Sequence, residues 1–375
     1  MKSRKEPKVL LVSPYSSKTV GGIGTWSKIV LDYSQEQEDC KVSFLNTVQG
    51  LPKRWALNYK LAHILIGILD SVLIIIRLIL RMFFTRPDVV HYTSSAASAL
   101  YKDKIAIGIV KGLFKKKFVI HWHFGRIPII FEEKGKEYEL FVQVCQNADI
   151  SITIDARSQE TLERAGIKSV YVPNPIPVAL QHKAEELSIG NEEKSRNKGE
   201  VLFVGHVLET KGIIELVKAC LDNKMVERLI VVGPFFDDNL KKDVISLASQ
   251  RDGGKWLQLV GEKTREEVWD YYKTCSLFCL PSYTEGFPYV ILEAMAFACP
   301  VVATKVGAIP EMLSRGCGSL VDAKKVEPLR EAINTMLSNM REANQNGKNA
   351  HEKVLREFTI KNVFQKYSEV WNSVL

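Results

Sequence analysis

The chain has no apolar run long enough to cross a bilayer uninterrupted. Its most apolar stretch, Trp55 to Phe84, carries Asp70, Arg77 and Arg81 before about 20 apolar residues accumulate, and charges at mid-bilayer are costly. The start, MKSRKEPKVLLVSPY, is basic, but its apolar run is short and Pro14 breaks it, so no secretory leader is expected there. Seven cysteines form no paired framework, which points to reduced thiols and a cytoplasmic location. Cys275 and Cys279 have the spacing of a helix face, yet they sit in TCSLFCLPS, which reads as a strand, so no metal site is expected. The G-x-G-x-x-G dinucleotide spacing is missing, as are internal repeats and low-complexity segments. No basic-aromatic binding motif of the usual kinds is present, so nucleic acid is not an expected partner.

What is present is a globular composition, 46% hydrophobic and 25% charged, over 375 residues, enough for two ordinary domains. The net charge of +8 is uneven. Residues 1–120 hold 19 Lys and Arg against 8 Asp and Glu, a balance of +11, and the remainder is close to −3. A basic first half suits an anionic surface. Within it, Trp55 to Phe84 has two compatible readings. One is a long buried helix feeding the strand PDVVHY. The other is a helix partly inserted in a membrane interface, with Lys53, Arg54, Lys60, Arg77 and Arg81 near headgroups.

The chain opens with the apolar strand KVLLVS, a loop containing Gly21 and Gly22, and a helix carrying Ile29, Val30 and Tyr33. Strand, glycine loop and helix form the first unit of a doubly wound sheet, and Gly21 and Gly22 let backbone approach a ligand closely. Further strands are expected at 41–46, PDVVHY, FVIHWHFG and DISITID, with helices at 101–113 and 158–165. His121 and His123 stand at the carboxyl end of one strand, where open α/β sheets bind ligands. Residues two apart on a strand share a face, so one or both can look toward a ligand. A core histidine is the plain alternative. VYVPNPIPV closes the first domain as an extended segment, and 181–199 reads as an exposed loop.

The second half restarts with EVLFVGHVLETKGIIELVKAC, again strand, glycine, loop and helix. Lys211 and Gly212 stand at the helix start, where a lysine and free backbone N–H groups can hold phosphate. The strands RLIVVGPF and SLFCLPSY follow, then the stretch around which the chain is organised, YTEGFPYVILEAMAFACPVVATKVGAIPE, from Tyr283 to Glu311. Pro288 suits the first turn of a helix running to about Ala298. Glu285 lies just ahead of that helix, and Glu293 about one and a half turns in. A loop glutamate is ordinarily solvated, and a glutamate inside ILEAM needs a partner if its face is buried. PVVAT reads as a buried parallel strand. A helix over 328–341 and a last helix from Ile360 complete the chain.

This ordered combination resembles the E-x7-E signature of the retaining GT-B glycosyltransferases of glycosyltransferase family four. The resemblance covers nearly all of the chain and is strongest over 200–312. It implies an α/β, GT-B fold: two Rossmann-like doubly wound domains facing across a cleft. Residues 1–178, completed by the helix 358–375, would form the acceptor-side domain, and 179–357 the donor-side domain.

The implied reaction moves a sugar from a nucleoside diphosphate sugar to a hydroxyl of a glycan or lipid-linked acceptor in cell-surface polysaccharide synthesis. It needs no metal and no cofactor beyond that co-substrate, and the chain has no Asp-x-Asp triplet. By the same resemblance Glu285 contacts the donor sugar and Glu293 the ribose. Lys211, Gly21–Gly22 and the Gly286–Phe287 amides meet the diphosphate. The stretch at Val260 and Glu262 reads the base, and one of His121 and His123 lies near the donor sugar and acceptor. His206 stands where the family has Arg, which leaves one hydrogen bond in place of a fixed charge. Two other classes fit the residues: another GT-B enzyme such as a sugar-nucleotide epimerase, and a non-catalytic sugar-nucleotide-binding subunit. The last expected partner is an anionic membrane, touched peripherally from its cytoplasmic side.

Overall fold

The computed structural model describes residues 6–15, 22–37, 40–48, 60–187 and 196–375; for 60–64 it describes the backbone alone. Gly21, Lys53, Arg54 and the Trp55 end of the apolar stretch lie outside the described residues. The chain divides into two compact units. One runs to Pro175 and takes in Ile360–Leu375; the other is Ile176–Thr359. The sequence boundaries were 178 and 357.

The first unit carries β1 (Lys8–Ser13), β2 (Lys41–Asn46), β3 (Val89–Ser94), β4 (Lys117–Trp122), β5 (Ile150–Thr153) and β6 (Ser169–Tyr171). All are parallel, in the order β2-β1-β3-β4-β5-β6. The central strands are buried on both faces, as parallel strands covered by helices must be. Every residue of β3 and β5 is buried. The last helix, Ile360–Val374, lies against the first, Gly22–Ser34, with Tyr33 edge-on to Phe364 at 5.2 Å between ring centroids.

The second unit carries β7 (Asn197–Val204), β8 (Arg228–Val232), β9 (Leu257–Gly261), β10 (Cys275–Leu280), β11 (Val301–Thr304) and β12 (Ser319–Val321). They too are parallel, in the order β12-β11-β10-β7-β8-β9. The order reverses between β7 and β10. Ligands of doubly wound sheets bind beyond the carboxyl ends of strands at such a switch point.

Three expectations need correction. The stretch 181–199 is not simply a loop: Val178–Glu185 is a helix, and β7 already starts at Asn197. The helix read over 328–341 is two, Val326–Ser338 and Met340–Glu357, divided at Asn339, whose side chain accepts from the Glu342 N–H and caps the second. The third concerns Lys60–Thr85, a helix of 26 residues. It is buried along a narrow stripe of Ile66, Asp70, Ile74, Leu78 and Met82, four residues apart each time. The rest of its apolar surface faces outward: Leu65, Ile68, Leu69, Val72, Ile76 and Leu80 are exposed, and Phe84 is 80% exposed. Arg77 and Arg81 are exposed beside them. Among the described residues no helix is long and apolar enough to cross a membrane.

Candidate functional site

The strand ends of the second unit bring Lys211 and Glu285 together. β7 ends at Val204, and the chain passes Gly205 and His206 into the short 3-10 turn Glu209–Lys211. Gly212 then takes a left-handed φ of 70° before the helix Ile213–Leu221. A Cβ at Gly212 would lie 2.2 Å from the Pro281 carbonyl oxygen, so only glycine lets this turn lie on the end of β10. The Tyr283 N–H donates to the Thr210 carbonyl at 2.8 Å and ties the two strand ends. Across this junction Lys211 Nζ donates to Glu285 Oε1 at 2.6 Å.

Glu285 is held from its other side as well. Ser282 Oγ donates to the same oxygen at 2.7 Å, and Thr304 Oγ1 at the end of β11 donates to the Ser282 carbonyl at 2.6 Å. Gly307, at φ 53°, passes so close that a Cβ there would meet the Glu285 carbonyl oxygen at 2.3 Å. The Ala308 N–H donates to the Gly286 carbonyl at 2.9 Å. The Gly286–Phe287 turn is thereby pinned ahead of the helix Tyr289–Ala296, which Pro288 caps in an extended conformation one residue before its first turn.

Glu293 lies inside that helix and is 6% exposed. Burial pushes its carboxyl up to about 7, against the pull of the Arg265 guanidinium, whose Nε stands 3.5 Å from Oε1. Arg265 opens the helix Arg265–Thr274, which a capping box of Thr264 and Glu267 starts. Its pairing with Glu293 was not read from the sequence, since no local spacing links residues so far apart. Gly307 and Thr304 were missed for the same reason, and Ser282, only three residues from Glu285, carried no motif that singled it out.

The remaining residues expected to meet the donor lie toward the carboxyl edge of this sheet. His206 is exposed, with its ring 5.1 Å from that of Phe236, beyond β8. Val260 is half-buried near the end of β9, and Glu262 follows it, exposed. Gly286 is half-exposed and Phe287 is buried edge-on to Phe358 at 5.7 Å.

His121 and His123 belong to the first unit, at the carboxyl end of β4. Their rings lie 4.0 Å apart, tilted by 36°. Trp26 packs against both, at 5.0 and 4.6 Å. A third histidine, His91 of β3, joins them: its Nε2 is 3.1 Å from His121 Nδ1. Trp371 Nε1, from the last helix, donates to His91 Nδ1 at 3.0 Å. Burial holds His91 and His123 down at about 3 and His121 well below the ordinary imidazole value, so all three are neutral. His91 escaped the sequence reading because PDVVHY looks like any buried strand. Gly22 is exposed at the start of the first helix, with open space where a Cβ would stand.

Residues 185–353 match the family of glycosyl transferases group 1. An uncharacterised glycosyltransferase of Methanocaldococcus jannaschii is 26% identical over 296 residues, 76% of each chain. The candidate teichuronic acid biosynthesis glycosyltransferase TuaC of Bacillus subtilis is 26% identical over 258 residues, 66% of this chain and 60% of that one. Among solved structures, Anabaena HepE in complex with UDP superposes with a TM-score of 0.71 at 18% identity, over 98% of this chain and 100% of that one. The same protein has been solved with UDP-glucose. The two six-stranded parallel sheets are those of the GT-B fold seen in HepE over nearly the whole length, and the match to the family of glycosyl transferases group 1 falls within the second unit.

Proposed function

We propose that the chain transfers a sugar from a uridine diphosphate sugar to a hydroxyl of a glycan or lipid-linked acceptor, with retention at the anomeric carbon and without a metal ion. The observation that carries this is the Lys211–Glu285 pair at the strand-order reversal of the second sheet. A cation and a carboxylate there suit a ligand with an anionic half and a hydroxyl-bearing half. Support for the donor comes from HepE, which was solved with UDP and with UDP-glucose.

On this reading Lys211 and the Gly286–Phe287 amides meet the diphosphate, with Gly21, Gly22 and His206 as further contacts. Glu285 takes sugar hydroxyls, Glu293 the ribose diol, and the backbone of 260–262 the base. One of His121 and His123 meets the donor sugar or the acceptor. In the reaction the bond from the anomeric carbon to the diphosphate oxygen breaks and a bond to the acceptor oxygen forms. The departing phosphate oxygen takes the acceptor proton. Charge grows on the diphosphate as the bond breaks, so a lysine and fixed amides aimed at it lower the barrier.

The acceptor side involves a membrane on this reading, and the enzyme works in the cytoplasm at its inner face, in cell-surface polysaccharide synthesis. An exposed apolar surface from Leu65 to Phe84 of a helix, bordered by Arg77 and Arg81, suits the headgroup region of an anionic bilayer. The test is transfer itself. Purified protein is incubated with UDP-sugars and lipid-linked acceptors, with and without chelator, and the anomeric configuration of the product is read. Retained configuration and full activity in chelator are expected. An inverted product or a metal requirement overturns the mechanism. Binding of UDP-sugar without turnover on any acceptor would favour the non-catalytic subunit, and isomerised donor would favour an epimerase.

A further inference from the structure

We infer that Trp371 and His91 are positioning residues that fix the tautomer of His121, so that His121 presents an Nε2–H donor to the bound sugar substrate. The inference rests on the reading above, in which a sugar substrate reaches the carboxyl end of β4.

The chain of hydrogen bonds has one direction. An indole nitrogen donates and never accepts. Trp371 Nε1 points at His91 Nδ1 at 3.0 Å, so that nitrogen must carry a lone pair. The single proton of neutral His91 then sits on Nε2, 3.1 Å from His121 Nδ1. His121 must in turn accept at Nδ1 and carry its proton on Nε2. A second proton on His91 would set an N–H against the indole N–H. A second proton on His121 would set an N–H against that of His91, and Trp371 forbids His91 the other tautomer. One indole therefore holds two imidazoles neutral and oriented.

The far end of this chain is left open. His121 Nε2 is buried and has no hydrogen-bond partner among the described residues, and the same holds for His123 Nε2 beside it. A buried N–H without a partner is destabilising, because it has lost its water and gained nothing in return. Such a group is a liability in a core and an asset where a ligand oxygen arrives. Its place at the carboxyl end of a central parallel strand is the side on which ligands of these sheets arrive. Trp26 restricts how the rings can turn, since it packs on all three histidines and its own Nε1 donates to Tyr367 Oη at 2.8 Å. The last helix supplies both Tyr367 and Trp371, so it orients side chains as well as covering the sheet.

The experiment is a long-range 1H–15N spectrum of the histidine rings in the unliganded protein, with kinetics of Trp371→Phe, His91→Leu and His91→Gln. The expected spectrum has His91 and His121 both neutral with the proton on Nε2. Trp371→Phe should mix the tautomers of His91 and His121 and lower kcat/KM at least threefold. His91→Gln, whose amide offers one acceptor and one donor, should retain more kcat/KM than His91→Leu. A proton on Nδ1 of His121 in the wild-type spectrum overturns the inference, as does Trp371→Phe with wild-type kcat/KM. The wild-type spectrum decides even if the variants fail to fold. It also decides if the protein turns over no sugar nucleotide, which separates this inference from the proposed function.

Discussion

Replacing Glu293 by Gln should strengthen the free protein and weaken its hold on the nucleotide. The free-protein half follows from the burial of this carboxyl, which lifts it from about 4.5 to about 7. Below pH 4.5 the folded and unfolded chains both hold the proton. Between 4.5 and about 7 the unfolded chain has released it and the folded chain has not, so stability falls as pH rises through that window. Above it the buried carboxylate costs roughly 3 kcal/mol relative to its neutral form, at 1.36 kcal/mol per pKa step. Glutamine has the shape of the neutral form and cannot ionise. The variant should match wild type near pH 4.5 and exceed it at pH 8 by up to roughly 3 kcal/mol, or on the order of 6–12 °C in the melting of a unit this size.

Nucleotide binding should move the other way. A ribose diol is better held by a carboxylate than by an amide, by about 1.5–3 kcal/mol per charged hydrogen bond. For the wild type, binding must therefore draw the proton off, and UDP affinity should rise with pH up to about 7 and then level. For the variant it should be weaker and flat. The assays are thermal melts and UDP titrations of both proteins across pH 5 to 8. A variant no more stable than wild type at pH 8, or a stability difference that ignores pH, would refute the buried-acid argument. Unchanged UDP affinity would refute the ribose role.

Lys211→Ala should lower turnover at least tenfold, about 1.4 kcal/mol in the barrier, whereas Glu285→Ala should cut turnover more than UDP affinity; equal effects on both quantities for Glu285 would count against its assignment to the sugar. Gly307→Ala sets a Cβ 2.3 Å from the Glu285 carbonyl oxygen. Backbone must then move, and turnover should fall although no reacting group has changed; wild-type kinetics would show that the Glu285 loop is not held as described. Protein should pellet with anionic vesicles at low salt and be released at high salt, since the Debye length shrinks from about 10 Å at 0.1 M to about 3 Å at 1 M. Phe84→Ser with Leu80→Ser should abolish pelleting and leave UDP binding intact, and no pelleting of wild type at low salt would defeat the membrane reading.

The parts of the second unit that were legible are those where local spacing and tertiary position coincide. The glycine and lysine of LETKGII stand between a strand and the helix after it, so their place at the strand ends was implicit in strand, loop and helix order. Glu285 precedes one turn, and Glu293 lies in the helix that follows it. Distance in sequence hid the rest. Arg265 reaches Glu293, and Gly307 presses on Glu285, through packing that no window of residues contains. The Lys60–Thr85 helix shows a different limit. Its composition is that of a buried helix, and only the sheet it packs on decides that one stripe is covered while Ile68, Ile76 and Phe84 are not. The Met340–Glu357 helix failed for the opposite reason: it is polar almost throughout, so its apolar period is too sparse to see.

In the second unit Lys211 and Glu285 are paired with each other, and this bears on how binding free energy would be used on the proposed roles. Lys211 and Glu285 neutralise each other at 2.6 Å, and Glu293 is half protonated near neutral pH. On the proposed roles a donor must loosen the first pair and deprotonate Glu293. The diphosphate competes with Glu285 for the lysine, which has three donors and can serve both. Glu285 is then turned toward the sugar while Ser282 still holds its oxygen. Each adjustment consumes affinity in the ground state. The gain comes later, when the leaving diphosphate acquires charge beside a lysine already placed to receive it. Interactions that strengthen only as charge develops raise turnover without tightening the resting complex. Breaking the pair from either side should therefore separate affinity from rate. Glu285→Gln frees Lys211 for the diphosphate and should bind UDP at least as tightly as wild type while turning over more slowly.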